Sequence, residues 1–150
     1  MTTDQTYREA HRRQHKLLGT YLALWSWKHG VDAVIVQREQ LLSYLELERM
    51  QDKRVDWLKD DIKSLFPDAW TTVDSKSNVY STLYLSRRAF PHAVKTGSMS
   101  DQKRLDAFGK AGMKAAVVKV PKEAEIVRIL AGITHGILDF PDETATRPFA

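Results

Sequence analysis

The chain has 150 residues, no cysteine, and 23 Lys+Arg against 19 Asp+Glu, for a formal charge of +4. That length supports one domain, with at most a small appendage and a core large enough to need no staples. The absence of cysteine excludes disulfides, thiolate metal sites and a thiol nucleophile. The first residues lack the basic-then-apolar pattern of a secretory signal, and no run approaches the roughly 18 apolar residues of a spanning helix. A cytoplasmic protein without membrane contact is therefore expected.

Residues 4–29 read as one helix. Leu18, Tyr21, Leu22 and Trp25 recur at helical spacing as its core face, Leu17 and Leu24 widen that face, and Gly30 is a natural stop. Trp27 points to the other side. The first half of this helix differs in kind: Arg8, Arg12, Arg13 and Lys16 against Glu9 give it a net charge of +3. Ala33–Val36 is a short β-branched run, read as a strand. Gln37–Met50 follows as a helix with Leu41, Leu42 and Leu45 on one face. Lys53–Phe66 is a second, with Val55, Leu58, Ile62, Leu65 and Phe66 facing inward and Asp52 as N-cap.

Pro67 and Asp68 end that helix. Ala69–Val73 and Val79–Ser86 are rich in Thr, Val, Tyr and Trp and flank a polar turn, so they predict a β-hairpin. Both faces of the second strand carry apolar or aromatic side chains. Residues 87–104 form a basic connector in which Arg87, Arg88, Lys95, Lys103 and Arg104 outnumber Asp101. A short helix capped by Ser98 or Ser100 should reach about Gly109. Ala115–Val120 reads as a strand and Pro121 as the first residue of a last helix, whose stripe is Ile126, Ile129, Leu130, Ile133 and Ile137. The end of the chain is acidic and contains proline.

The order of helix, strand, two helices and hairpin over about residues 15–88 resembles the winged helix–turn–helix superfamily. The fold class expected is mainly α with a small antiparallel β-sheet. A winged-helix-like domain would span 1–97, a helix–strand–helix appendage 98–140, and an acidic tail 141–150. The resemblance implies a non-enzymatic regulator that binds nucleic acid, DNA rather than RNA, acting as a dimer. Lys53–Phe66 would then be the recognition helix, presenting Lys53, Lys63 and Ser64 to a major groove, and Lys76 would be the wing contact. Arg12, Arg13, Lys16, Arg87, Arg88 and Lys95 would neutralise phosphates, provided the fold gathers them on one side.

One feature opposes this reading. Asp52, Asp56 and Asp60 form an acidic row on the presumed recognition helix, where phosphates would repel it. It favours the alternative, a protein-interaction module such as a small subunit or inhibitor of a nucleoprotein complex. Trp27, Trp57, Ile129 and Ile133 are the candidate partner contacts, although an apolar stripe such as that of Ile129 and Ile133 usually closes its own core. His11 and His15 share a helix face, but Arg12, Arg13 and Lys16 are the wrong neighbours for a dication, so no metal is expected. Arg8 with His15, and Arg87 with His92, resemble the Arg–His spacing of HEPN-type ribonucleases. No phosphate-binding loop, dinucleotide fingerprint or nucleophile elbow occurs. Neither an enzymatic activity nor a cofactor is expected.

Overall fold

The computed structural model describes residues 3–48, 52–74, 79–95 and 101–136, with the side chains of 3–7, 52, 72–74, 79–81, 95 and 101 excepted. The elements are α1 (Thr3–His29), β1 (Ala33–Gln37), α2 (Arg38–Leu45), α3 (Asp52–Ile62), β2 (Trp70–Asp74), β3 (Val79–Ser86), α4 (His92–Lys95), α5 (Asp101–Lys110), β4 (Ala115–Val117) and α6 (Glu123–Thr134). The fold is α+β: helices dominate and surround one four-stranded sheet.

Glycine ends α1 as its sequence predicts. Gly30 takes φ +65°, its N–H bonds Trp27 O, and Val31 N–H reaches back to Ser26 O at 3.0 Å. This double closure satisfies carbonyls that a helix end would otherwise leave bare. α2 is shorter than the expected 37–50 helix. Glu46 adopts φ 56° and Leu47 N–H closes back on Leu42 O, which turns the chain so that Leu47 packs against the core. Residues 49 and 50 lie outside the described residues. α6 starts at Glu123 with Lys122 as its N-cap, so Pro121 precedes the cap and holds the approach extended instead of opening the helix.

The sheet order is β2-β3-β1-β4. β1 pairs antiparallel with β3, Ile35 opposite Tyr84, and β2 completes the hairpin with a register shift between Thr72 and Val73. β4 lies parallel to β1, Ala33 opposite Ala115. The sheet is therefore mixed, where a purely antiparallel one was expected. Pairing across so long a stretch of chain leaves no local signal of turn or alternation.

Period-two alternation sends the strand side chains to two separate cores. Val34, Val36, Leu83, Leu85, Ala116 and Val118 face α1, α2, α3 and α6. Ala33, Ile35, Tyr84, Ala115 and Val117 face Phe90, Val94, Leu105, Phe108 and Met113, brought by α4, α5 and their flanks. Both faces of the sheet are thus covered. The segment after residue 100 is part of this body: it supplies the fourth strand, the second core layer and, in α6, a helix packed against α1. Ile126 and Ile129 are fully buried in the first core, and Ile133 packs at its margin. Ile129, expected as a partner contact, is thus enclosed in its own domain, whereas Ile133 stays half-buried at the margin. No helix among the described residues is long and apolar enough to cross a membrane.

Candidate functional site

α1 and α3 approach closely because Gly19 sits where they meet. A Cβ there would lie 2.7 Å from Ile62 Cγ2. One turn and more toward the N-terminus of α1, this apolar contact gives way to a polar seam. Arg8 approaches Asp61 at 3.7 Å and Asp60 at 3.9 Å, and Arg12 reaches Asp61 at 4.0 Å. The acidic row that spoke against nucleic acid is thus partly neutralised from within the chain. Asp60 and Asp61 answer the cations of α1, whereas Asp56 remains exposed.

Asp61 is only 7% exposed and also binds His15, whose Nδ1 lies 2.7 Å from its Oδ2. His15 is fully buried, and its Nε2 has no hydrogen-bond partner. Burial pushes the imidazole below its usual titration range and outweighs the opposing pull of the Asp61 hydrogen bond and charge; the neighbouring His11 and Arg54 lower it further. The ring is neutral, its Nδ1–H donates to Asp61, and Nε2 carries the lone pair. His11 stacks on His15 with centroids 6.0 Å apart and contacts Gln14 Oε1 through Nδ1. Gln14 in turn donates to Tyr44 O at 2.8 Å, and the Tyr44 hydroxyl donates to Gln14 O. Burial and the Glu123 charge raise the Tyr44 hydroxyl well above its ordinary range, which keeps it protonated as that donor. His15 thus ties α1 to α3, and Gln14 ties it to α2. Among the described residues no three His, Cys, Asp or Glu are grouped to hold a metal ion.

Trp57, half-buried on α3, is the centre of the seam. Lys53 Nζ lies 5.1 Å from its ring centroid, and the guanidinium carbons of Arg8 and Arg54 lie 5.8 and 5.9 Å away. Arg12, Arg13, Lys16, Lys53, Lys63 and Ser64 are exposed along α1, α3 and the turn that follows α3. A fixed aromatic ring bordered by cations can hold a flat group and an anion together.

The second basic group does not join the first. Arg87 Nη2 donates to Ser26 Oγ at 3.0 Å, and Arg88 pairs with Asp32 at 3.3 Å. Ser26 is fourteen residues beyond Arg12, which corresponds to about 21 Å along a helix. Arg104 is buried with its guanidinium 4.9 Å from the Trp70 centroid, so it serves the second core instead of a phosphate. Lys76 lies outside the described residues, as does the Lys95 side chain. Of the Arg–His pairs, Arg8 and His15 meet on Asp61, but His15 is closed off from solvent; Arg87 is tied to Ser26, and His92 is exposed at the start of α4.

Trp27 is 71% exposed, with Leu24 beside it one turn earlier. An open groove of about 530 Å³ lies across the fold at α4 and α5, floored by Pro91, Ala93, Ala107 and Ala111 and edged by Lys103, Asp106 and Lys110. Sequence reasoning missed the contacts that Arg54, Asp61 and Gln14 make. The signal that could have found them was charge complementarity, since Arg8 and Arg12 on one helix answer Asp60 and Asp61 on another. Compared with known proteins, the chain matches no family model, no curated protein and no solved structure.

Proposed function

We propose that the protein binds nucleic acid, without catalysing a reaction on it, through the seam between α1 and α3, and that it does so in the cytoplasm. The observation that carries this reading is the Trp57 ring with three cations within 6 Å of its centroid, on a pair of helices that also expose Arg12, Arg13 and Lys16, with Lys63 in the turn after α3. Two further features support it. The order α1–β1–α2–α3–β2–β3, with β1 paired to the hairpin, is in keeping with a winged helix, and on that reading α3 would be the recognition helix. Arg8 beside Asp60 also offsets part of the repulsion that α3 would otherwise offer to phosphates, although Asp56 and Asp60 both stay exposed.

Binding of labelled DNA and RNA across a salt series tests this directly. Affinity should fall steeply with salt, and Arg13→Glu with Lys16→Glu should weaken binding and lower the log–log slope by about 0.7–0.9 for each phosphate no longer neutralised. Arg88→Glu, remote from the seam, serves as the control. Unchanged binding in the Arg13/Lys16 variant would refute the assignment.

A second reading, a protein-interaction module, is favoured by one observation: Trp27 presents 71% of its surface on α1, and large exposed aromatics are characteristic interface anchors. That reading requires complex formation that tolerates salt and is lost in Trp27→Ser.

A further inference from the structure

The geometry points to single-stranded nucleic acid as the ligand of the α1–α3 seam, with an unpaired base stacked on the Trp57 indole. This inference rests on the nucleic-acid reading above and narrows it.

Three observations lead there. The first is the placement of charge. The exposed surface of α3 and its following turn carries Lys53 and Lys63 but also Asp56 and Asp60. A helix seated in a major groove lies between two phosphate strands, so both carboxylates would face anionic backbone. The flanking cations that could offset this on the far side, Arg87 and Arg88, are instead tied to Ser26 and Asp32 near the other end of α1. The exposed cations of α1 are Arg12, which also reaches Asp61 at 4.0 Å, Arg13 and Lys16, all within four residues of one another, a cluster that suits one backbone.

The second is the setting of Trp57. Its half-buried side chain is held by α3, and Arg8 and Arg54 approach within 6 Å of its centroid from α1 and α3. Lys53, one turn earlier and exposed, places its ammonium 5.1 Å from that centroid. A flexible lysine stem can swing from the ring to a phosphate as a base takes its place, leaving the ammonium paired with an anion. Bases stack on aromatic side chains irrespective of sequence, but only when they are unpaired.

The third is the acidic residues themselves. Asp56, awkward beside a duplex, directly precedes Trp57, and Asp60 follows it three residues later within 3.9 Å of Arg8. A carboxylate accepts hydrogen bonds from the exocyclic amine of cytosine, and a base released from its complement exposes that edge. The major groove of a duplex offers the same amine, but only with a second phosphate strand alongside; a single strand presents it without that repulsion.

The test uses the full chain and four labelled probes of equal length: an oligo-dC, an oligo-rC, a duplex, and an abasic strand that keeps every phosphate. Stacking of one base is worth about 5- to 150-fold in affinity. The base-bearing single strands should therefore bind more tightly than the abasic strand by that factor, and more tightly than the duplex. Trp57→Leu should reduce oligo-dC binding to the abasic level while leaving the salt slope unchanged, and Trp57→Phe should keep most of the preference. Equal affinity for abasic and base-bearing strands, or a duplex bound as tightly as the single strand, overturns the inference. In either case salt-sensitive binding would leave the broader nucleic-acid reading standing, whereas no binding of any probe at low salt would overturn both. The comparison of probes on the unmodified chain decides the matter even if Trp57→Leu fails to fold.

Discussion

Gly19→Ala probes the contact that sets the distance between α1 and α3. The added Cβ would sit 2.7 Å from Ile62 Cγ2, 3.1 Å from Ile62 Cβ and 3.4 Å from Leu65 Cδ1. Carbon pairs rest at about 3.5–4.0 Å, so the closest pair is short by roughly an ångström. Ile62 is fully buried and β-branched on a helix, and its Cγ2 cannot rotate away without entering a disfavoured rotamer. The helices must separate instead. Overpacking of this kind costs about 1–3 kcal/mol, against a helix-propensity gain of about 1 kcal/mol for replacing a mid-helix glycine by alanine. The expected net loss is about 1 kcal/mol. Ile62→Ala alone should cost about 2–5 kcal/mol through its cavity. In that background the clash with Cγ2 is gone, the 3.1 Å contact with the Cβ of residue 62 needs only a few tenths of an ångström of relief beside the new cavity, and Gly19→Ala should become stabilising by up to about 1 kcal/mol. Urea denaturation of the four proteins of this cycle measures a coupling of about 2 kcal/mol with a change of sign. Gly19→Ala having the same effect in both backgrounds would refute the packing argument.

Other outcomes follow from the same structure. The folded chain holds His15 below its ordinary value of 6.5, so as the pH falls past that value the unfolded chain takes up a proton that the folded one resists. Stability therefore declines with acidification until the folded-state titration is passed; urea midpoints of the native chain against His15→Gln should diverge in that window, and parallel curves would exclude His15 as the source. Ile126→Ala should cost about 2–5 kcal/mol and lower the stability of the whole chain in one transition; two separate transitions by hydrogen exchange would show that the α6 segment folds independently. Trp27→Ser should change stability by no more than about 0.5 kcal/mol, since the side chain is largely in solvent, while abolishing any salt-tolerant complex that the chain forms.

Much of the architecture was legible because local patterns carry it. The Leu18, Tyr21, Leu22 and Trp25 face, the Gly30 stop and the strand over 79–86 all lie where periodicity and turn chemistry place them. β1 could be read because a β-branched run precedes a helix. The second core was foreshadowed by apolar residues on both faces of β3, but nothing local says that Phe90, Val94 and Phe108 fill it. The α2 boundary failed because a left-handed glutamate is not a recognised stop. At the site, a helical wheel correctly put Lys53, Lys63 and Ser64 outside. It could not foresee that Arg8 and Arg12 turn toward Asp60 and Asp61, or that Arg104 slides under the sheet against Trp70. These are contacts between distant segments, and composition records only that both charges exist.

The parallel pairing of β1 with β4 also has a consequence in time. Asp32 and Lys114, hydrogen-bonded beside that pairing, are 82 residues apart. At a synthesis rate of about 5–20 residues per second, β1 leaves the ribosome roughly 4–16 s before its parallel neighbour exists. During that interval β1 and the β3 hairpin can join, but the other edge of β1 has no neighbour and the second core has no lid. The nascent chain therefore carries an apolar strand edge of Ala33–Val36 open to strangers. The final third of the sequence acts, in effect, as a late-arriving guard against misassembly, quite apart from anything that it does in the finished protein.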